Sequence, residues 1–220
     1  MEDRVAIFID GSNLYHALKS NFGRYDLYFT GFISKLCNSR PLFRTYYYNV
    51  LQEPAKWPDA HKEQQEFLEV LNKTPYLEVR LGKTKVAQGV SIERGIDIML
   101  ATDLLYFAWN NAYDVAILVS GDSDFAYALQ AVKNMGKHVE VAYFENVISK
   151  DLLDIVDNRH LLDRSFLSSL WATKHYAKRR RTTVRPQRQT APFIDKVKIP
   201  EAAKAPESDY TPQPVDSTNF

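Results

Sequence analysis

Two stretches of this chain are apolar at every position, Val5-Ala6-Ile7-Phe8-Ile9 and Val115-Ala116-Ile117-Leu118-Val119. Both are too short to be good helices, and both are rich in β-branched residues and closed by turn-forming ones. Each therefore reads as a strand covered on both faces. The pattern predicts strands near 4–9, 43–50, 77–82, 114–120 and 138–143. Helices are predicted near 12–20, 59–73, 95–109, 124–135, 150–157 and 164–174. Alternation of this kind indicates an α/β fold, a parallel sheet with helices on both sides. The tyrosines of Arg44-Thr45-Tyr46-Tyr47-Tyr48-Asn49-Val50 read as sheet packing rather than as a base-stacking platform. Asp59 is expected to cap a polar helix that buries Phe67, Leu68, Val70 and Leu71. Residues 82–90, with Lys83 and Lys85 between glycines, read either as a solvated connection or as a loop that clamps a phosphate backbone.

Three acidic clusters follow or adjoin the apolar runs. Asp10-Gly11-Ser12-Asn13 follows the first strand, Asp97 and Asp103 lie in the apolar stretch after Gly95, and Ser120-Gly121-Asp122-Ser123-Asp124 follows the central strand. In a parallel α/β sheet, residues just past the strand ends meet in one crevice. Carboxylates gathered there repel one another unless a cation holds them, and hard divalent ions take carboxylate oxygens. Helix capping is the plainer reading: Ser12 or Asn13 would cap the first helix, and Ser123 or Asp124 the helix that opens at Phe125. Capping does not explain an acid directly after five buried residues, nor two acids where one cap suffices. Asp97, in the first turn of its helix, also gains from the helix dipole. Asp103 lies six residues on, roughly 240° around the axis, so the two cannot both face one ion. Asp97 is the better ligand, and Asp103 is a supporting residue or a backbone acceptor. His16, His61, His138, His160 and His175 are scattered without zinc-ligand spacing, and there is no Gly-rich phosphate loop.

Charge changes the picture more than composition does. With 13 Tyr and 12 Phe among 220 residues the chain has ample material for a core. No apolar run approaches the roughly 18 residues of a membrane span, and the first strand starts too early to leave room for a signal peptide. Cys37, the single cysteine, can have no internal disulfide partner and fits a buried position in a reducing cytoplasm. The net charge of +1 hides a division. Residues 1–173 carry 18 Lys and Arg against 22 Asp and Glu, whereas residues 174–198 carry nine basic residues and one acid. That basic stretch, with Arg179, Arg180 and Arg181, is polar and proline-punctuated, so the expected organisation is a domain over 1–174 and a disordered tail over 175–220.

The blocks Phe8-Ile9-Asp10-Gly11-Ser12-Asn13, Gly95-Ile96-Asp97-Ile98 through Asp103, and Ser120-Gly121-Asp122-Ser123-Asp124-Phe125 resemble, in order and spacing, the three signature blocks of the NYN domain. The nearest group by these blocks is its LabA-like branch, within the PIN-like nuclease superfamily. The resemblance covers about residues 4–160. It implies a three-layer α/β/α sandwich on a five-stranded parallel sheet and a Mg²⁺- or Mn²⁺-dependent ribonuclease site. Carried over by position, Asp10, Asp97, Asp122 and Asp124 would be the metal-holding acids. Asn13 would support them, Ser12, Ser120 and Ser123 would stand behind them, and Asp103 would match a further family acid. Arg94 stands where the family often has lysine, which keeps the charge and changes the geometry.

The implied function is hydrolysis of RNA phosphodiesters. Basic contacts would come from Lys83, Lys85, Arg94 and the tail arginines, and the oligomeric state is left open. A phosphatase of the haloacid-dehalogenase type would need a second acid where Ser12 stands. The remaining alternative is a catalytically silent RNA-binding or regulatory module on the same fold.

Overall fold

The computed structural model describes residues 2–87 and 90–172, with side chains described except at 83–94. Its centre is one sheet of seven strands: β1 (Val5–Asp10), β2 (Leu42–Val50), β3 (Leu77–Ala87), β4 (Val90–Arg94), β5 (Val115–Val119), β6 (His138–Tyr143) and β7 (Asn158–Leu161). The order across the sheet is β4-β3-β2-β1-β5-β6-β7. All neighbours run parallel except β3 and β4, which form an antiparallel edge. The parallel part thus has six strands, one more than expected. The extra one, β7, is a polar four-residue edge with no alternation to betray it. Of the stretch predicted as a loop over 82–90, the described residues are strand instead, β3 running on to Ala87 and β4 opening at Val90, with Lys83 opposite Arg94 and Lys85 opposite Ile92.

The helices are α1 (Gly11–Phe22), α2 (Phe29–Cys37), α3 (Pro58–Asn72), α4 (Ile96–Trp109), α5 (Ala126–Asn134), α6 (Lys150–Ile155) and α7 (Arg164–Leu167). Strand alternation feeds two cores. Val5, Ile7, Ile9, Tyr47 and Ile117 pack beneath α1, α2 and α3, while Ala6, Phe8, Tyr46, Tyr48 and Leu118 pack beneath α4, α5 and α6. This is why β1 and β5 are apolar throughout: each face supplies a different core. The three tyrosines are all buried in that packing. α2 was not predicted, although Phe29, Phe32, Ile33, Leu36 and Cys37 form its buried face at helical spacing. It opens without a side-chain cap, which removes the usual start signal. α3 begins at Pro58 with Asp59 in its first turn rather than at the cap, and Val70 is exposed rather than buried. Of the helix expected over 164–174, the described residues before Trp171 form only the four-residue α7, and Trp171 bridges to Leu27.

Strand order reverses between β1 and β5, since β1 leads outward to β2 and β5 leads the other way to β6. That reversal opens a crevice at the carboxyl ends of β1 and β5, where the Asp10 and Asp122 segments emerge. The boundary expected near residue 174, and Arg179, Arg180 and Arg181 beyond it, lie outside the described residues. Among the described residues, no helix is long and apolar enough to cross a membrane.

Candidate active site

Asp10 ends β1 and is only 6% exposed. It is itself the N-cap of α1: its Oδ1 accepts the backbone N–H of Asn13 at 3.0 Å. The cap expected of Ser12 or Asn13 therefore belongs to Asp10. Its other oxygen, Oδ2, accepts the Ser120 hydroxyl at 3.0 Å. Ser120 in turn accepts the Asp122 backbone N–H at 3.2 Å, and Asn13 Oδ1 accepts the N–H of Gly121 at 3.3 Å. The ends of β1 and β5 are thus tied together by neutral groups, and none of these bonds neutralises a carboxylate.

After Gly121 the chain turns tightly. A side chain there would collide with the carbonyl of Val147, whose loop closes over the turn through Ser149 N–H to Gly121 O at 3.0 Å. Asp122 caps the single 3-10 turn Ser123–Phe125, its Oδ1 accepting the Asp124 N–H at 3.0 Å. Capping is again done by the acid and not by Ser123 or Asp124. Gly95 adopts φ 83°, the left-handed turn that brings β4 into α4. Two residues later Asp97 stands in the first turn of α4.

These elements enclose a cleft of about 470 Å³, lined by Asp10, Asp97 and Asp122 together with Ser12, Asn13, His16, Ser20 and Asn49. Burial pushes the Asp10 carboxyl above its usual range. The hydrogen bonds from Asn13 and Ser120 pull it back in part, and the negative charges of Asp97 and Asp122 push it up further. Asp97 is also raised, first by desolvation and then by repulsion from Asp122 and Asp124. Asp124 does not line the cleft, but its charge adds to the repulsion on Asp97. Asp103 stands apart: its Oδ2 accepts the Tyr48 hydroxyl at 2.7 Å and pairs with Arg80, whose guanidinium lies over the rings of Tyr46 and Phe107. Its place is inside the second core rather than behind the cleft.

Sequence reasoning did not assign three polar lining residues to the site. His16 and Ser20 follow Asn13 at helical spacing on α1, and Asn49 is the polar residue at the end of β2, on the edge that carries Asp10. Those positions were the available signals. Lys83, Lys85 and Arg94 lie on the β3–β4 hairpin that precedes Asp97, with their side chains outside the described set.

Apart from His16, the cleft's donors are carboxylate, hydroxyl and amide oxygens, and such donors suit a hard divalent cation rather than a soft one. Asp10, Asp97 and Asp122 are the residues that would hold it. Among the described residues, no three carboxylate, histidine or cysteine side chains stand close enough together to hold a metal ion between them.

Fold and site together define a three-layer α/β protein with an acidic crevice at the switch point of its sheet. The chain belongs to the NYN domain family, whose family model matches residues 4–163. It is similar to the Low amplitude and bright protein LabA of Synechococcus elongatus, 28% identical over 163 residues that cover 70% of this chain and 81% of that protein. Its fold is like that of a protein of unknown function from Vibrio parahaemolyticus, with a TM-score of 0.61 at 22% identity, covering 76% of this chain and 96% of the other.

Proposed function

We propose that the chain is a divalent-metal-dependent ribonuclease. The observation that carries this reading is the convergence of Asp10, Asp97 and Asp122 on one cleft, where burial first, and then the charge of neighbouring carboxylates, holds Asp10 and Asp97 above their usual range. Such an arrangement costs stability in the empty fold and is relieved by a cation. A bound Mg²⁺ or Mn²⁺ would supply Lewis-acid stabilisation of the phosphate and a more acidic water.

The chain's own contributions are positional. Asp10 is fixed by the α1 cap and by Ser120, so its orientation is set before any ligand arrives. Asp122 is held by the turn that it caps. Ser12, Asn13 and Asn49 offer neutral hydrogen bonds to a phosphate or ribose that enters the cleft. Lys83, Lys85, Arg94 and the basic segment with Arg179, Arg180 and Arg181 would attract the polyanion to a domain that is itself acidic, through salt-sensitive contacts.

The test is cleavage of a panel of single-stranded and structured RNAs by the pure protein, with and without Mg²⁺ or Mn²⁺. Metal-dependent cleavage that disappears in Asp122→Asn supports the reading. RNA binding without turnover at any metal concentration would replace it with the silent-module alternative.

A further inference from the structure

A second cleft, of about 190 Å³, opens beside the acidic one, between α1 and α3 over the end of β2. The two share Ser12, His16 and Asn49 as common walls. The second cleft is lined chiefly by rings. Phe29 and Tyr47 are buried deep in it, and Phe67 completes an edge-to-face trio with centroids 5.7–5.9 Å apart. Nearer solvent, Tyr15 and Tyr25 lie 5.0 Å apart.

Two amides give the cleft a polar edge. Gln64 accepts the Gln52 N–H at 2.7 Å and donates to Val50 O at 2.8 Å, while Asn49 accepts the Val50 N–H at 2.8 Å and donates to the Tyr47 hydroxyl at 3.3 Å. Each amide is therefore fixed in orientation, with one N–H and one oxygen lone pair still to offer.

No lysine or arginine is among the lining residues, and Glu63 brings a negative charge. A phosphate or other anion is therefore a poor fit, and a flat neutral ring with hydrogen-bonding edges is a good one. The volume is below the roughly 300–1,000 Å³ of sites for larger ligands, which points to a single ring system. We propose that this cleft receives one unpaired nucleobase of the RNA strand whose phosphate lies in the acidic cleft. The shared walls make the two sites neighbours on one nucleotide path. A base inside a duplex cannot enter, so the substrate is single-stranded at this point. This inference rests on the nuclease reading of the acidic cleft.

The experiment measures binding, so it does not depend on turnover. A fluorescein-labelled six-nucleotide RNA of mixed sequence is titrated by anisotropy in Ca²⁺ buffer, alongside versions that each lack one base. Removal of the base at one position should weaken binding about 5-fold or more, the scale of one base stacked on an aromatic side chain. Ala60 lines the cleft from the exposed side of α3, and Ala60→Trp should block it. That variant should bind intact RNA as weakly as wild type binds the base-lacking RNA, with no further loss when both changes are combined. Tyr15→Ala should weaken intact RNA in the same way, and Tyr15→Phe should restore it. Equal binding of all base-lacking versions, additive losses, or no RNA binding would each overturn the proposal. Base-blind binding with metal-dependent cleavage intact rejects the base cleft alone, whereas base-dependent binding without cleavage rejects only the nuclease.

Discussion

Asp10 and Glu140 are buried to almost the same depth, 6% and 5% exposed, yet burial has opposite outcomes for them. Glu140 receives Arg40 through two hydrogen bonds at 2.7 and 3.0 Å and His160 at 2.7 Å. Burial opposes its charge, but the bonds from His160 and Arg40 more than compensate and hold it down at about 2. Asp10 has only neutral partners, and its neighbours Asp97 and Asp122 are negative. One carboxylate is built into the fold, and the other is kept in spite of it. The difference is physical and needs no reference to any relative: a buried acid with its own cation supports structure, whereas a buried acid facing other acids is a candidate for ligand binding.

The largest effect that tests this comparison is on turnover. Asp122→Asn should reduce metal-dependent RNA cleavage by about 100-fold or more, the scale of a removed electrostatic group at a reacting centre, while thermal melting of the metal-free protein stays unchanged or rises. Mn²⁺ should raise the melting temperature of wild type and not of the variant. A variant that fails to fold would show that the Asp122 charge itself supports the fold, against its reading as a ligand-holding group, because asparagine caps the same turn equally well.

On the other side of the comparison, Glu140→Ala should destabilise the protein by about 2 kcal/mol in urea unfolding, less than a fully buried pair because Arg40 reaches solvent, with cleavage per folded molecule preserved.

Smaller, and opposite in sign, is Asp10→Asn, which keeps an equally good cap and should stabilise the metal-free fold by up to about 1 kcal/mol at neutral pH. The pH dependence distinguishes the two acids. Because the Asp10 pKa is raised, its cost is complete above that raised value and fades as pH falls to the ordinary 3.8, so the gain from Asp10→Asn should vanish there. The support from Glu140 is complete above the ordinary 4.5 and is lost as pH falls toward about 2. Acid titration of unfolding free energy should show the two trends running in opposite directions.

The smallest expected effect is a control outside both regions. Thr45 is fully buried, and its hydroxyl has no partner among the described residues. Thr45→Val should be neutral or stabilising by less than about 1 kcal/mol, with activity unchanged, because no ligand depends on that group.

The strands and the acids of the crevice were legible in the sequence because they obey local rules. β1 and β5 are doubly covered, so their apolar runs are unbroken, and Asp10 and Asp122 stand where such runs end. What escaped depends on partners far away in the chain. β7 is a strand only because Tyr143 and its neighbours on β6 offer it an edge, and its own residues are polar. Asp103 has the spacing of a site residue, but Tyr48 and Arg80, 55 and 23 positions away, claim its carboxylate. The cleft walls at His16 and Asn49 became meaningful only when α1 and β2 were set side by side. α2 is different, because its periodicity was present in the sequence and only its uncapped start concealed it.

The cap of α1 carries an evolutionary consequence. Asparagine closes a helix start about as well as aspartate, and in Asp10 the exchange would also remove a repulsive charge, so drift from one to the other would be invisible to folding. The same holds at Asp122, where an amide oxygen could accept the Asp124 N–H equally well. In a lineage released from chemical duty, selection on the fold would let these acids decay one by one while the crevice kept its shape. Among descendants of this architecture, the fold alone therefore gives no reason for a full set of acids in the crevice to persist.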